Sequence, residues 1–214
     1  MRTISILLLM LLVAPTAYAE EQSMKDQCEI TPAIWQLKRW PTISKSNNLR
    51  RHTGGVELAR GDYILLTGMI TDRKCVPVAG AIVQIWQADS LGLMKDFTED
   101  HRKRDKKFIN TGTAITDNFG GYSFLTVLPG ALNDRAPFIN FRILHKDFLP
   151  LETVMFFENQ AYNDFDHILN YEVDANKRDL LVAKGEKIYN NDDQESIKYQ
   201  FDITLEGKNK YLKY

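Results

Sequence analysis

Six short runs of apolar or alternating residues, each bounded by turn chemistry, set the strongest limit on what this chain can fold into. They are 63–71, 82–86, Gly121–Val127, 138–143, Leu151–Phe157 and 198–205. Side chains alternate across a strand, so a period of two buries one face. Tyr122, Phe124 and Thr126 share a face of the third run; Tyr199, Phe201, Ile203 and Leu205 share a face of the last. Ile139, Phe141 and Ile143 would face the core, with Phe138, Asn140 and Arg142 on the opposite side. Short strands with this spacing predict an all-β fold, an antiparallel β-sandwich. One segment near the C-terminus reads as helical: Asp174 can cap it, Leu180, Leu181 and Val182 give an apolar patch, and Gly185 can end it.

The first residues read differently. Met1-Arg2 supplies a positive start, residues 4–13 are continuously apolar, and Ala17-Tyr18-Ala19 offers a small-x-small cleavage site. That order is the pattern of a secretory signal peptide. The apolar run is short for a membrane-spanning anchor. The expected organisation is a signal peptide at 1–19, an N-terminal arm at 20–60 rich in turn signals such as Trp40-Pro41 and Gly54-Gly55, and a β-sandwich domain at 61–214. Export would end in the periplasm or outside the cell. Cleavage removes one arginine and no acid, moving the formal net charge from −1 to −2. That balance favours neither nucleic acid nor an anionic membrane surface, and no later segment is apolar enough to span a bilayer. In an exported protein the pair Cys28 and Cys75 is expected to form a disulfide.

Residues 95–107 are mostly charged, six basic against four acidic. A solvated loop is one reading; a site for an anionic partner is the other. The histidines, His52, His101, His145 and His167, show no metal-ligand spacing with one another or with a cysteine. No nucleophile elbow, P-loop, dinucleotide fingerprint or H-E-x-x-H motif is present.

Several ordered blocks carry a resemblance. The stretch Val83-Gln84-Ile85-Trp86-Gln87-Ala88-Asp89 follows a strand and a Pro-containing turn. Thr116-Asp117-Asn118-Phe119-Gly120-Gly121-Tyr122-Ser123-Phe124 comes next, with Thr126 and Pro129-Gly130. Then come Ala136-Pro137 with Ile139 and Phe141, and Phe156-Phe157-Glu158 with Asn163 and Asp166 beyond. Together these blocks resemble the intradiol ring-cleavage dioxygenases, the catechol and protocatechuate dioxygenase type. Cys28 with Thr31-Pro32 is similar to the N-terminal arm of exported members.

The resemblance implies a β-sandwich enzyme that cleaves catechol-type aromatics with dioxygen on a ferric ion. Two tyrosines and two histidines hold that ion, the histidines at i, i+2 on one strand. Carried onto this sequence, the tyrosine positions fall on Met94 and Leu132, and the histidine positions on Phe138 and Asn140. Thioether, aliphatic, benzene and neutral amide groups are poor partners for a hard trivalent cation. Arg135 occupies the position of the family's substrate-stabilising arginine, and Val154 that of its supporting glutamine.

Three functions follow as alternatives. The first is a degenerate dioxygenase with no metal cofactor, whose former pocket, lined by Met94, Leu132, Phe138, Asn140 and Arg135, takes a small aromatic or apolar ligand. The second is an active ferric enzyme with relocated ligands. The third is an envelope or secreted module that works through protein contacts, using the arm and the charged loop.

Overall fold

The computed structural model describes residues 27–34, 40–94, 103–132, 134–189 and 195–207. The expected signal peptide, His101 and residues 95–102 of the charged run lie outside the described residues. Among the described residues nine strands form the body. They are β1 Tyr63–Asp72, β2 Ile82–Gln87, β3 Thr111–Ile115, β4 Gly121–Val127, β5 Phe138–Leu144, β6 Leu151–Phe157, β7 Val182–Tyr189, β8 Glu195–Gln200 and β9 Ile203–Leu205.

The strand order is β3-β2-β5-β6-β7-β8-β1-β4, with β9 on β1. One layer is β3-β2-β5-β6 and the other β7-β8-β1-β4. They are joined where Phe156 and Phe157 of β6 pair with Val182 and Ala183 of β7. Rings from both layers fill the space between: Phe141 lies 5.0 Å from Phe201 and 6.2 Å from Tyr122, and Phe157 lies 4.8 Å from Tyr199. This is the β-sandwich that the alternating runs predict. Most pairings are antiparallel, while β1–β8, β1–β9 and β6–β7 are parallel.

Two elements differ from the sequence reading. Asp174 does cap a helix, accepting from the Asn176 N–H, but that helix is a 3-10 segment, Ala175–Leu181. Gly185 does not end it; it lies within β7 opposite Tyr199, where a Cβ would come within 2.9 Å of the tyrosine ring. The run 198–205 divides into β8 and β9. Between them the Asp202 carboxylate takes the Met69 N–H at 2.8 Å, and the Phe201 carbonyl turns in to accept the Tyr122 hydroxyl at 2.5 Å. The register on β1 is the same on both sides of this break.

The arm is part of the body where it is described. Cys28 and Cys75 form a disulfide with a Cα–Cα distance of 5.2 Å. Thr31 pairs with Thr204 of β9, and Ile34 donates its N–H to the Glu152 carbonyl on β6. The segment therefore straps one layer to the other, which leaves residues 27–34 poorly suited to act as a free contact arm. Among the described residues no helix is long and apolar enough to cross a membrane.

Candidate functional site

The exit of β2 is built from buried polar side chains. Gln87 donates to the carbonyls of Ala88 at 3.1 Å and Val127 at 2.9 Å, and accepts the Thr126 hydroxyl at 2.7 Å. Asp89 is fully buried. Its Oδ1 accepts the N–H groups of Leu91 and Leu93, and its Oδ2 accepts that of Asp105. A carboxylate that collects three backbone donors ties a turn shut, because a buried polar atom without a partner is costly. Gly92 sits in that turn at φ +78°, where a Cβ would lie 2.0 Å from the Ala131 carbonyl oxygen. Only glycine allows this approach. It sets the loop carrying Met94 against the loop carrying Leu132, with the Gly130 N–H donating to the Asp89 carbonyl at 2.9 Å.

The remaining positions meet at the start of β5. Asn140 pairs in register with Trp86 on one side and Val154 on the other, and Phe138 pairs with Phe156. The Asn140 side-chain nitrogen donates to the Trp86 carbonyl at 3.2 Å. Leu132 and Arg135 form a backbone bridge. The structure thus gathers Met94, Leu132, Arg135, Phe138, Asn140 and Val154 into one region. Met94 is 3% exposed, Phe138 6%, Asn140 3% and Val154 0%, while Leu132 and Arg135 are half-buried. The outer face of β5 at Phe138 and Asn140 is covered, which strand alternation alone does not reveal.

Arg135 owes its position to Asp166. Arg135 Nε lies 2.6 Å from Asp166 Oδ2, and that oxygen also accepts the Ala136 N–H at 3.1 Å. Asp166 Oδ1 accepts the N–H groups of Ile168 and Leu169, the first turn of a short π-helical segment, Ile168–Glu172. An Asp two residues before the apolar pair Ile168-Leu169 is a cap signal that could have found it. The guanidinium stacks on Phe138, 4.4 Å from the ring centroid, and lies 6.0 Å from that of Phe156. Arg135 is 22% exposed at the side chain and Asp166 0%. The arginine is a half-buried brace between two loops and an aromatic pair.

The other titratable candidates are scattered. His52 Nε2 lies 2.9 Å from the Lys106 carbonyl, His145 stacks on Phe148, and His167 faces Glu172 at the surface. Among the described residues no three His, Cys, Asp or Glu side chains converge as metal ligands.

Comparison with known proteins places this geometry. A family model described as a dioxygenase matches residues 37–207. A Rickettsia bellii protein named "Putative dioxygenase" is 34% identical over 143 residues, 63% of this chain and 69% of the relative. The protocatechuate 3,4-dioxygenase beta chain of Burkholderia cepacia is 30% identical over 157 residues, 69% of this chain and 66% of that one. Among solved structures, an Acinetobacter radioresistens catechol 1,2 dioxygenase variant superposes with a TM-score of 0.67 at 18% identity, covering 91% of this chain and 70% of that chain. At that identity the superposition speaks for the fold. With the sandwich, the ordered sequence blocks and the family match over most of its length, the chain belongs to the intradiol ring-cleavage dioxygenase family.

Proposed function

We propose that this protein is an exported member of the family that has lost ring cleavage and works by binding. The carrying observation is the donor set at the positions that the resemblance assigns to iron. A ferric ion there would meet the Met94 thioether, the Leu132 side chain, the Phe138 ring and the Asn140 amide, whose nitrogen is committed to the Trp86 carbonyl. Ferric iron in this family is held by phenolate and imidazole, and none of these four groups substitutes for either. The residues do not fit the metal, so no catalytic step is derived through it.

Two further observations support the reading. Arg135 is engaged with the buried Asp166 carboxylate and stacked on Phe138, which restrains it from meeting a substrate. Met94, Phe138 and Val154 are buried and apolar, so a small aromatic or apolar ligand is the class the region would accept if the loops part. The signal-like N-terminus and the Cys28–Cys75 bridge fit an oxidising compartment, the periplasm or the exterior.

Metal analysis of the purified protein after incubation with iron salts tests the reading. The expected result is substoichiometric iron, no visible tyrosinate-to-iron band, and no oxygen uptake with catechol or protocatechuate. Stoichiometric iron with that band and ring cleavage would overturn it in favour of relocated ligands. One observation favours a protein-contact role as a second reading. Phe165 and Tyr171 are 77% and 79% exposed on the segment that Asp166 anchors. Exposed aromatics are typical interface anchors.

A further inference from the structure

A separate cavity of about 270 Å³ lies between residues 42–44 and the chain leading into β3, and shares no residue with the site above. Arg104, Lys106 and His52 supply its polar groups of basic type, and Ile43, Phe108 and Ile109 its apolar surface. None of its nine lining residues is acidic. Asp105 lies between the two cations in sequence but turns inward and is buried. Its N–H donates to Asp89 Oδ2 at 2.9 Å, and its carboxylate accepts the N–H groups of Arg60 at 2.7 Å and Lys107 at 2.9 Å. That inward anchor fixes the loop so that Arg104 and Lys106 border the cavity. The His52 ring, donating from Nε2 to the Lys106 carbonyl at 2.9 Å, holds the loop from the other side.

Arg104 Nε is buried and has no hydrogen-bond partner among the described residues. A buried guanidinium N–H without an acceptor is an exception in folded proteins. An anion in the cavity would give the Arg104 guanidinium a charge-assisted partner, and the planar group matches a carboxylate. The apolar side is of no use to a free phosphate, whereas a carboxylate with a hydrocarbon body would cover it. The volume falls just below the usual range of ligand pockets, roughly 300–1,000 Å³, which suits a small ligand.

We propose that this cavity binds a small monocarboxylate with an apolar body. The carboxylate meets Arg104 and Lys106, and the body lies on Ile43, Phe108 and Ile109. The proposal is independent of whether ring cleavage has been lost, because it uses none of the same residues.

The test titrates the full chain with hexanoate at constant ionic strength, by calorimetry and thermal melting, beside hexanamide, acetate and inorganic phosphate. Hexanoate should give a saturable heat and raise the melting temperature with concentration. Acetate and phosphate should bind at least about tenfold more weakly, and hexanamide not measurably. Arg104→Gln should weaken hexanoate by about tenfold or more, while the remote Lys187→Gln leaves it unchanged. Absence of saturable hexanoate binding overturns the proposal. So does equal binding of hexanamide or phosphate, or an Arg104→Gln protein that binds as the parent does. The hexanoate and hexanamide comparison on the parent protein decides even if the variant folds poorly.

Discussion

Replacing Asp166 by Asn changes the side-chain volume little, but removes one charge and turns one acceptor into a donor. The carboxylate takes Arg135 Nε at 2.6 Å and Ala136 N at 3.1 Å on one oxygen, and Ile168 N at 3.0 Å and Leu169 N at 3.2 Å on the other. An amide can serve one pair only; its NH2 must then face the donors of the other. Removing one partner of a buried ion pair costs about 3–5 kcal/mol. Arg135 retains 22% exposure, which lowers the pair's share, while stranded N–H groups each add about 1–3 kcal/mol that overlaps with it. A loss of about 3–4 kcal/mol follows, a large part of a typical stability of about 5–15 kcal/mol. With a urea slope near 2 kcal/mol/M, the unfolding midpoint of Asp166→Asn should fall by about 1.5–2 M. Arg135→Met keeps the contact with Phe138 but leaves the carboxylate uncompensated, so it should cost a similar amount. In the double variant the losses should fall short of their sum by at least about 1 kcal/mol. A midpoint shift under about 0.5 M for Asp166→Asn, or strict additivity, would refute the brace and return Arg135 to the pool of free cations.

Three further outcomes are expected. The Cys28–Cys75 bridge closes a sequence separation of 47 residues, so Cys28→Ser with Cys75→Ser should cost up to about 4 kcal/mol in thermal melts; an unchanged melt would mean that the Thr31 and Ile34 contacts hold the arm alone. Burial, helped by the Asp202 charge, pushes the Tyr122 phenol well above its ordinary value of 10.0, and burial with the Glu158 charge raises Tyr199. The unfolded chain therefore loses these protons first as pH rises past about 10, so unfolding releases protons and stability falls there while staying flat, for these groups, below. Tyr122→Phe should lower stability by about 1–2 kcal/mol at neutral pH through the lost bond to the Phe201 carbonyl, and should flatten the alkaline decline; a parent-like alkaline slope counts against the account. Gly92→Ala should cost about 1–3 kcal/mol, from positive φ and from collision with the Ala131 carbonyl, and a neutral effect would show that the two loops are not locked together.

The strands that were legible in the sequence are those whose alternation is strong, such as Tyr122, Phe124 and Thr126 on β4. β3 is not legible because Thr111–Ile115 has little contrast along it; it is an edge strand whose Gly112 lies under Leu49. β7 was partly absorbed into the helical reading, since its residues are mostly exposed and its pairing is supplied by β6 and β8. Gly185 looked like a helix terminator because the Tyr199 ring it accommodates is remote in sequence. At the candidate site, order and spacing point to Met94, Leu132, Phe138 and Asn140, but they do not show that Met94, Phe138 and Asn140 are buried. Nothing local to Asp105 says that it turns away from its charged neighbours, and nothing local to Arg135 says that Asp166 will meet it. Burial of an acid is decided by the partners that fold toward it.

The blocks that carry the family signature have structural work to do whether or not iron is bound. Gln87 and Thr126 pin β2 to β4, Asp89 ties its turn and receives Asp105, Gly92 and Gly130 let two loops touch, and Arg135 closes on Asp166. Losing any of them would unsettle the fold. Met94, Leu132, Phe138 and Asn140 are under no such demand to stay tyrosine or histidine once no metal is held there. At the buried positions Met94 and Phe138, apolar side chains avoid polar groups that would otherwise need partners. A sequence drifting away from catalysis would therefore keep its resemblance and lose its donors. The resemblance reports the sandwich and its turns, while the donor atoms at Met94, Leu132, Phe138 and Asn140 decide the chemistry, so the iron analysis and not the family match tests the proposed loss of ring cleavage.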